Sequence, residues 1–217
     1  MSPWLVRNWV SVGSLGDSRL MTSTLHHGSY PGFMYENDPS TRGYPYRADP
    51  RTPEVEVSLG ATVAEVARKF RSEPVAHVTW YLVGKPVQFL AWEMIEGWGD
   101  IYTYPVYQSP HASDPTFGLV RSLMRGLHAP LGIAGVLGAI LVLSPWARRF
   151  WSDGPLWGLR VCAFIFLYAI GVHMVGAPFP RYSVPLRPIQ YLMAVSFGIA
   201  MVRAAGELRQ RSQQRVP

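Results

Sequence analysis

The sequence predicts a membrane protein in which a small α+β extracytoplasmic domain, residues 1–118, precedes a region of about three transmembrane α-helices, residues 119–217. Two observations carry that prediction. Residues 126–144, 156–177 and 189–205 are apolar stretches, each close to the roughly 20 residues that a helix needs to cross about 30 Å of hydrocarbon; nothing comparable precedes them. Residues 131–143 and 161–172 also lack the polar stripe that a helix in a soluble protein normally keeps.

The elements follow in chain order. Residues 1–118 are rich in aromatics, Gly and Pro without repeats or low-complexity tracts, and read as folded. Turn residues recur every few positions over 28–53, which predicts an irregular loop carrying Tyr30, Phe33, Tyr35, Tyr44 and Tyr46, whose rings either pack or stack on a ligand. A strand is expected over 54–59. Thr62 and Glu65 have the spacing of a capping box, opening a helix to about Phe70. A second helix over 75–83 should stop at Gly84, with Pro86 beyond it. The apolar run 87–95 is broken by Gln88 and Glu93, and 101–107 alternates as a strand does.

In lipid a backbone must satisfy its own hydrogen bonds, so the three spans are helices, with Pro130 and Pro188 expected near their ends, where a lost N–H costs least. Gly132, Gly135 and Gly138, with Ala134 and Ala139, give the first span small residues at helix-packing spacing. Cys162, the single cysteine, lies inside the second span as a small apolar residue and can form no internal disulfide.

The formal charge of +6 is unevenly placed. Residues 1–118 carry 9 basic against 12 acidic side chains and residues 119–217 carry 11 against 2, so the excess belongs to the ends of the spans. Arginines there anchor helices and set orientation, and nucleic-acid binding is not implied. Arg148 and Arg149 between the first two spans, with Arg203, Arg209, Arg211 and Arg215 after the third, predict a cytoplasmic C-terminus and an outer, periplasmic face for residues 1–118. Residues 1–20 have no apolar core or cleavage site of a secretory signal, so export of this domain is expected to depend on preceding helices of a longer polytopic protein.

Two stretches resemble a family. Pro3-Trp4 with Arg7-Asn8, and Arg181-Tyr182 with Pro185, are similar to the short outer-loop signatures of polyprenyl-phosphate-sugar-dependent membrane glycosyltransferases, the relatives of protein mannosyltransferases and aminoarabinose transferases. Residues 25–50 and 80–106 resemble an outer loop of a proteobacterial branch of that group. The resemblance implies a bacterial inner-membrane transferase that moves a sugar from a lipid phosphate to an acceptor at the outer face, inverting the anomeric centre, without a nucleotide donor; no cofactor or metal site is expected in this chain. The family's catalytic carboxylate sits in a first outer loop that has no counterpart in this sequence. The chain is therefore expected to be the C-terminal portion of such an enzyme, not catalytic alone, with a lipid-phosphate sugar donor, membrane lipids and upstream helices or another membrane subunit as partners. The alternative is a non-catalytic membrane-anchored subunit of a larger complex.

Arg181 is the first candidate for substrate binding, because a guanidinium in a short turn between spans can fork onto a lipid phosphate; its other role is a headgroup anchor. Arg187 is a weaker second, and Tyr182 reads as an interfacial ring or a ligand contact. His173, near the end of the second span, is either functional or hydrogen-bonded to a neighbouring helix. Glu93, Glu96 and Asp100 would share one face of a continuous helix and offer acceptor or cation contacts, although Gly97 and Gly99 argue against that helix. His26 and His27, placed on a strand, would point to opposite faces, and no zinc signature is present.

Overall fold

The computed structural model describes residues 2–13, 18–93 and 110–213. They are predominantly helical, with no strand among them, so the strand content expected of residues 1–118 is not seen in the part of it that is described. Residues 54–59 belong instead to two helix boundaries. Pro53 enters one helix, and the Ser58 hydroxyl caps the next by accepting from the Ala61 N–H at 3.2 Å; this start chemistry outweighs the β-propensity of Val55 and Val57. The other expected strand, 101–107, lies outside the described residues.

The chain forms two compact units, residues 1–88 with 172–178, and residues 89–171 with 179–217. In the first unit α1 (Ser2–Val12) and α2 (Ser18–Gly28) are followed by short turns opened by proline, two of them α3 (Pro45–Ala48) and α4 (Thr52–Val55). Residues 28–53 are otherwise irregular, and left-handed φ values at Gly32 (63°) and Gly43 (91°) show why glycine is needed there. Then come α5 (Leu59–Ser72), α6 (Pro74–Thr79), a π-helical turn over Trp80–Gly84 and α7 (Lys85–Phe89).

Two sequence signals act differently from expectation here. Thr62 does not cap α5: it is fully buried inside the helix, and its hydroxyl donates to the Val55 carbonyl at 2.9 Å. Gly84 does not stop a helix. A Cβ there would lie 2.2 Å from the Trp80 ring, so glycine is what lets the indole fold back, and the π turn widens the helix ahead of Pro86, which supplies no N–H to the ladder.

Residues 172–178 are held in this unit by two close approaches. The Lys85 ammonium, fully buried, donates to the carbonyls of Met174 at 2.8 Å and Gly176 at 2.9 Å, the C-terminal end of a long helix where cations are favoured. Gly28 meets the same segment so tightly that a Cβ would be 2.2 Å from the Gly176 carbonyl oxygen. The Gly28 carbonyl in turn accepts from the Trp80 indole N–H at 2.9 Å.

The second unit begins with α8 (Pro110–Ser113) and α9 (Pro115–Leu143), whose N-terminus is capped by Asp114 accepting from Thr116 N–H at 2.7 Å. Next are α10 (Asp153–Val175), whose last turn belongs to the first unit, and α11 (Arg187–Gln213), entered through a 3-10 segment Pro180–Leu186. Among the described residues three helices are long and apolar enough to cross a membrane: Pro115–Leu143, Asp153–Val175 and the joined Pro180–Gln213. All start earlier than their apolar stretches, because polar first turns extend each helix beyond the hydrocarbon length. Pro130 falls inside α9 and not near its end.

The core of the second unit is the α9–α11 seam. Gly132, Gly135 and Gly138 face Gln190 and Met193, and the missing side chains let backbones approach until a Cβ on Gly138 would be 2.0 Å from the Met193 carbonyl oxygen. The outward positions of α10, including Phe164, Ile165 and Tyr168, are exposed apolar side chains of the kind that lipid covers. Arg160, though within α10, reaches the end of α9, donating to the Val142 carbonyl at 3.3 Å.

Candidate functional site

The turn between the last two spans is built by Pro180 at the first position of its 3-10 segment and by the Tyr182 N–H donating to the Phe179 carbonyl at 3.1 Å. Phe179 and Tyr182 meet edge to face with centroids 5.9 Å apart. The Arg181 guanidinium lies 4.9 Å from the first ring centroid and 5.4 Å from the second. Two rings thus hold the planar group without neutralising it, and no carboxylate pairs with it among the described residues. Arg181 and Tyr182 are both exposed. An exposed, oriented, unneutralised guanidinium can receive two oxygens of a phosphate.

Arg187, six residues on, is differently placed. It is 4 % exposed, and its two terminal nitrogens face the Leu90 carbonyl at 3.2 Å, Gln190 Oε1 at 3.0 Å, the Ala91 carbonyl at 3.1 Å and Ser183 Oγ at 2.8 Å. His128 Nε2 lies 2.6 Å from the same Leu90 carbonyl and 3.0 Å from Arg187 Nη1. Arg187 therefore ties segment 90–91 to α11, with both terminal nitrogens committed to the protein. Glu93 is exposed and pairs with Arg125; Glu96 and Asp100 lie outside the described residues. In the first unit His173 is half-buried in the last turns of α10. The structure thus brings Arg181 with Tyr182, and Arg187 with neither.

A constellation that the sequence reading passed over lies in the first unit. His26 and His27 are on α2, not on a strand, and the helix ends at Gly28, with Ser29 and Tyr30 in the turn that follows. Tyr30 Oη is 2.5 Å from Asp49 Oδ2 and 2.6 Å from His26 Nε2, and His26 Nδ1 is 3.0 Å from Glu56 Oε1. Each of these three contacts needs one proton, while a neutral histidine and a tyrosine together supply two. The chain Asp49–Tyr30–His26–Glu56 must therefore share one further proton. Burial pulls the His26 pKa down, opposed by its hydrogen bond to Glu56. Lys69 sits 3.4 Å from the Tyr30 ring centroid and donates to Ser29 Oγ at 2.9 Å; burial pulls its pKa down to about 8, opposed by Glu65 and Asp49.

Beside it, Glu65 is buried and clamped by Arg51 at 2.9 Å and by both forks of Arg68. The neighbouring cavity of about 200 Å³, lined by Arg51, Val55, Ala61 and Arg68 among others, does not reach the shared-proton chain. No group of three metal-ligating side chains comes together among the described residues. Ser18 and Gly28 bound an eleven-residue helix that carries His26, while Tyr30 lies two residues beyond its end, in the turn that brings the phenol back onto the imidazole.

No protein-family model, curated protein or solved structure matches this chain. What the described residues define is a mostly helical protein with, among them, three helices long and apolar enough to span a membrane.

Proposed function

We propose that this chain is a membrane component of a sugar-transfer system, and that its Arg181 turn holds the phosphate of a lipid-linked sugar donor at the outer face of a bacterial inner membrane. The reading rests on the resemblance of Arg181-Tyr182 and Pro185, and of Pro3-Trp4 with Arg7-Asn8, to lipid-phosphate-dependent glycosyltransferases. The observation that carries it is the exposed guanidinium framed by Phe179 and Tyr182 with no carboxylate on it. In this role the chain contributes donor recognition as the C-terminal portion of the enzyme, and none of its residues is assigned as the catalytic base. The second reading, a non-catalytic anchored subunit, draws on Arg187 and the Asp49–Tyr30–His26–Glu56 chain, whose polar groups are spent on internal partners.

The test is retention of radiolabelled undecaprenyl phosphate by the protein in lipid nanodiscs. A charge-assisted contact is worth roughly 1.5–3 kcal/mol, or about 10- to 150-fold in affinity, with the lower end expected for an exposed turn. Arg181→Lys keeps the charge and loses the fork, so it should fall between wild type and Arg181→Ala. Equal retention by wild type and Arg181→Ala sinks the proposal. Retention by wild type, with no sugar transfer when the chain is assembled with upstream membrane partners, selects the subunit reading.

A further inference from the structure

Residues 74–88 carry a polarity opposite to that of a water-facing helix. Val75, Val78, Leu82, Val83 and Val87 are exposed, by 79, 44, 63, 56 and 65 % respectively. The side chains turned inward are His77, Lys85 and Trp80, all buried, with the indole N–H and the ammonium both hydrogen-bonded to backbone carbonyls. The stretch holds one formal charge, Lys85, and that charge is on the inner side, so the exposed face carries none. A π-helical turn takes about one residue more than an α turn. Here it lies between Trp80 and Gly84, and the shift brings Val87 back toward the side occupied by Val75, Val78 and Leu82. In water a face of five large apolar side chains with no charge is unfavourable.

The position of this helix says what covers the face. Lys85 is bonded to the carbonyls of Met174 and Gly176, where α10 ends. At about 1.5 Å per residue the 23 residues of α10 extend about 34 Å, slightly more than the roughly 30 Å of hydrocarbon, so those carbonyls stand at the membrane boundary. We infer that residues 74–88 form a fourth membrane element, a helix seated at the bilayer boundary where α10 ends, with its Val75–Val78–Leu82–Val87 face against lipid acyl chains. It does not cross: about 15 residues span only some 22 Å as a helix. Lys85 serves as its fastener, satisfying the end of a span with a charge that lipid would otherwise have to solvate. This inference does not depend on the donor-binding role of Arg181.

The test uses the full chain in vesicles of phosphatidylethanolamine and phosphatidylglycerol, with Cys162→Ala and single cysteines carrying a nitroxide. Power saturation compares collisions with oxygen, which partitions into lipid, and with a neutral nickel chelate, which stays in water. Labels at Val75, Val78, Leu82 and Val87 should favour oxygen, as a reference label at Phe164 on α10 should, while a label at Arg71, exposed on α5, should favour nickel. Four positions on successive turns keep the result independent of any one label that disturbs folding. A nickel-favouring pattern at the four positions, matching Arg71, overturns the inference. Protection from both reagents overturns it too, since the face would then be covered by protein.

Discussion

Replacing the seam glycines of α9 one at a time by alanine gives a graded test of how the first and third spans are held together. A Cβ at Gly138 would lie 2.0 Å from the Met193 carbonyl oxygen, against about 3.4 Å for an ordinary contact, so the helices must part by about 1.4 Å, the difference of the two. The obstructing atom is backbone, which cannot rotate away as a side chain can. At Gly135 the distance is 2.8 Å to the Gln190 carbonyl oxygen, at Gly132 it is 3.7 Å to Gln190 Nε2, and at Gly126 nothing lies within 4 Å. Overpacking typically costs 1–3 kcal/mol, opposed by up to about 1 kcal/mol of helix propensity gained on losing a glycine. Gly138→Ala should therefore destabilise by roughly 2 kcal/mol and Gly135→Ala by about 1 kcal/mol, with Gly132→Ala within about 0.5 kcal/mol of wild type and Gly126→Ala neutral or slightly stabilised. The assay is unfolding of the purified protein in mixed micelles titrated with sodium dodecyl sulfate, followed by circular dichroism. Equal losses at all four positions, or a larger loss at Gly126 than at Gly138, would refute the backbone-contact reasoning.

The first unit yields three further expectations. Burial pulls the His27 pKa from 6.5 down to about 4, a difference worth about 3 kcal/mol in favour of the neutral form. Because the folded value is the lower one, this stability is complete above about pH 6.5 and is lost as pH falls toward 4, with about 2 kcal/mol gone by pH 5. His27→Gln should therefore show a smaller drop in melting temperature between pH 7 and pH 5 than wild type, and an identical drop in both would count against the assignment. Gly28→Ala should detach residues 172–178, since the carbonyl of Gly176 lies 2.2 Å from the new methyl carbon; faster tryptic cleavage after Lys69 or Arg71 reads this, and an unchanged digest contradicts it. With three crossings, a cysteine at Ser40 or Tyr182 should react with an impermeant maleimide in intact cells while one at Ser152 or Ser212 is spared, all in a Cys162→Ala background. The reverse pattern would invert the proposed orientation. Ser183 would be an uninformative site, being fully buried with its hydroxyl donating to the Pro180 carbonyl.

The three spans were legible from composition because lipid acts on each stretch as a uniform solvent: a run that is long and apolar enough is helical wherever it sits in the fold. The small residues of α9 announced a helix seam for the same reason, as close backbone approach needs glycine whatever the partner. The identity of that partner was not in the sequence. Arg187 illustrates the limit: its local context ranked it behind Arg181 but gave no sign of burial, and carbonyls from residues 90 and 91 bury it while Arg181 is exposed. Thr62 and Gly84 carried helix-boundary signals that tertiary contacts redirected, one into a buried hydrogen bond to Val55 and the other into a seat for an indole ring. His26, Asp49 and Glu56 are separated by up to 30 positions and meet only when α2 and the turns after it fold against α5. Helix ends and spans depend on neighbours along the chain and on the surrounding solvent, whereas the burial and protonation of a polar side chain depend on which distant groups come within about 3 Å of it, and folding alone decides that.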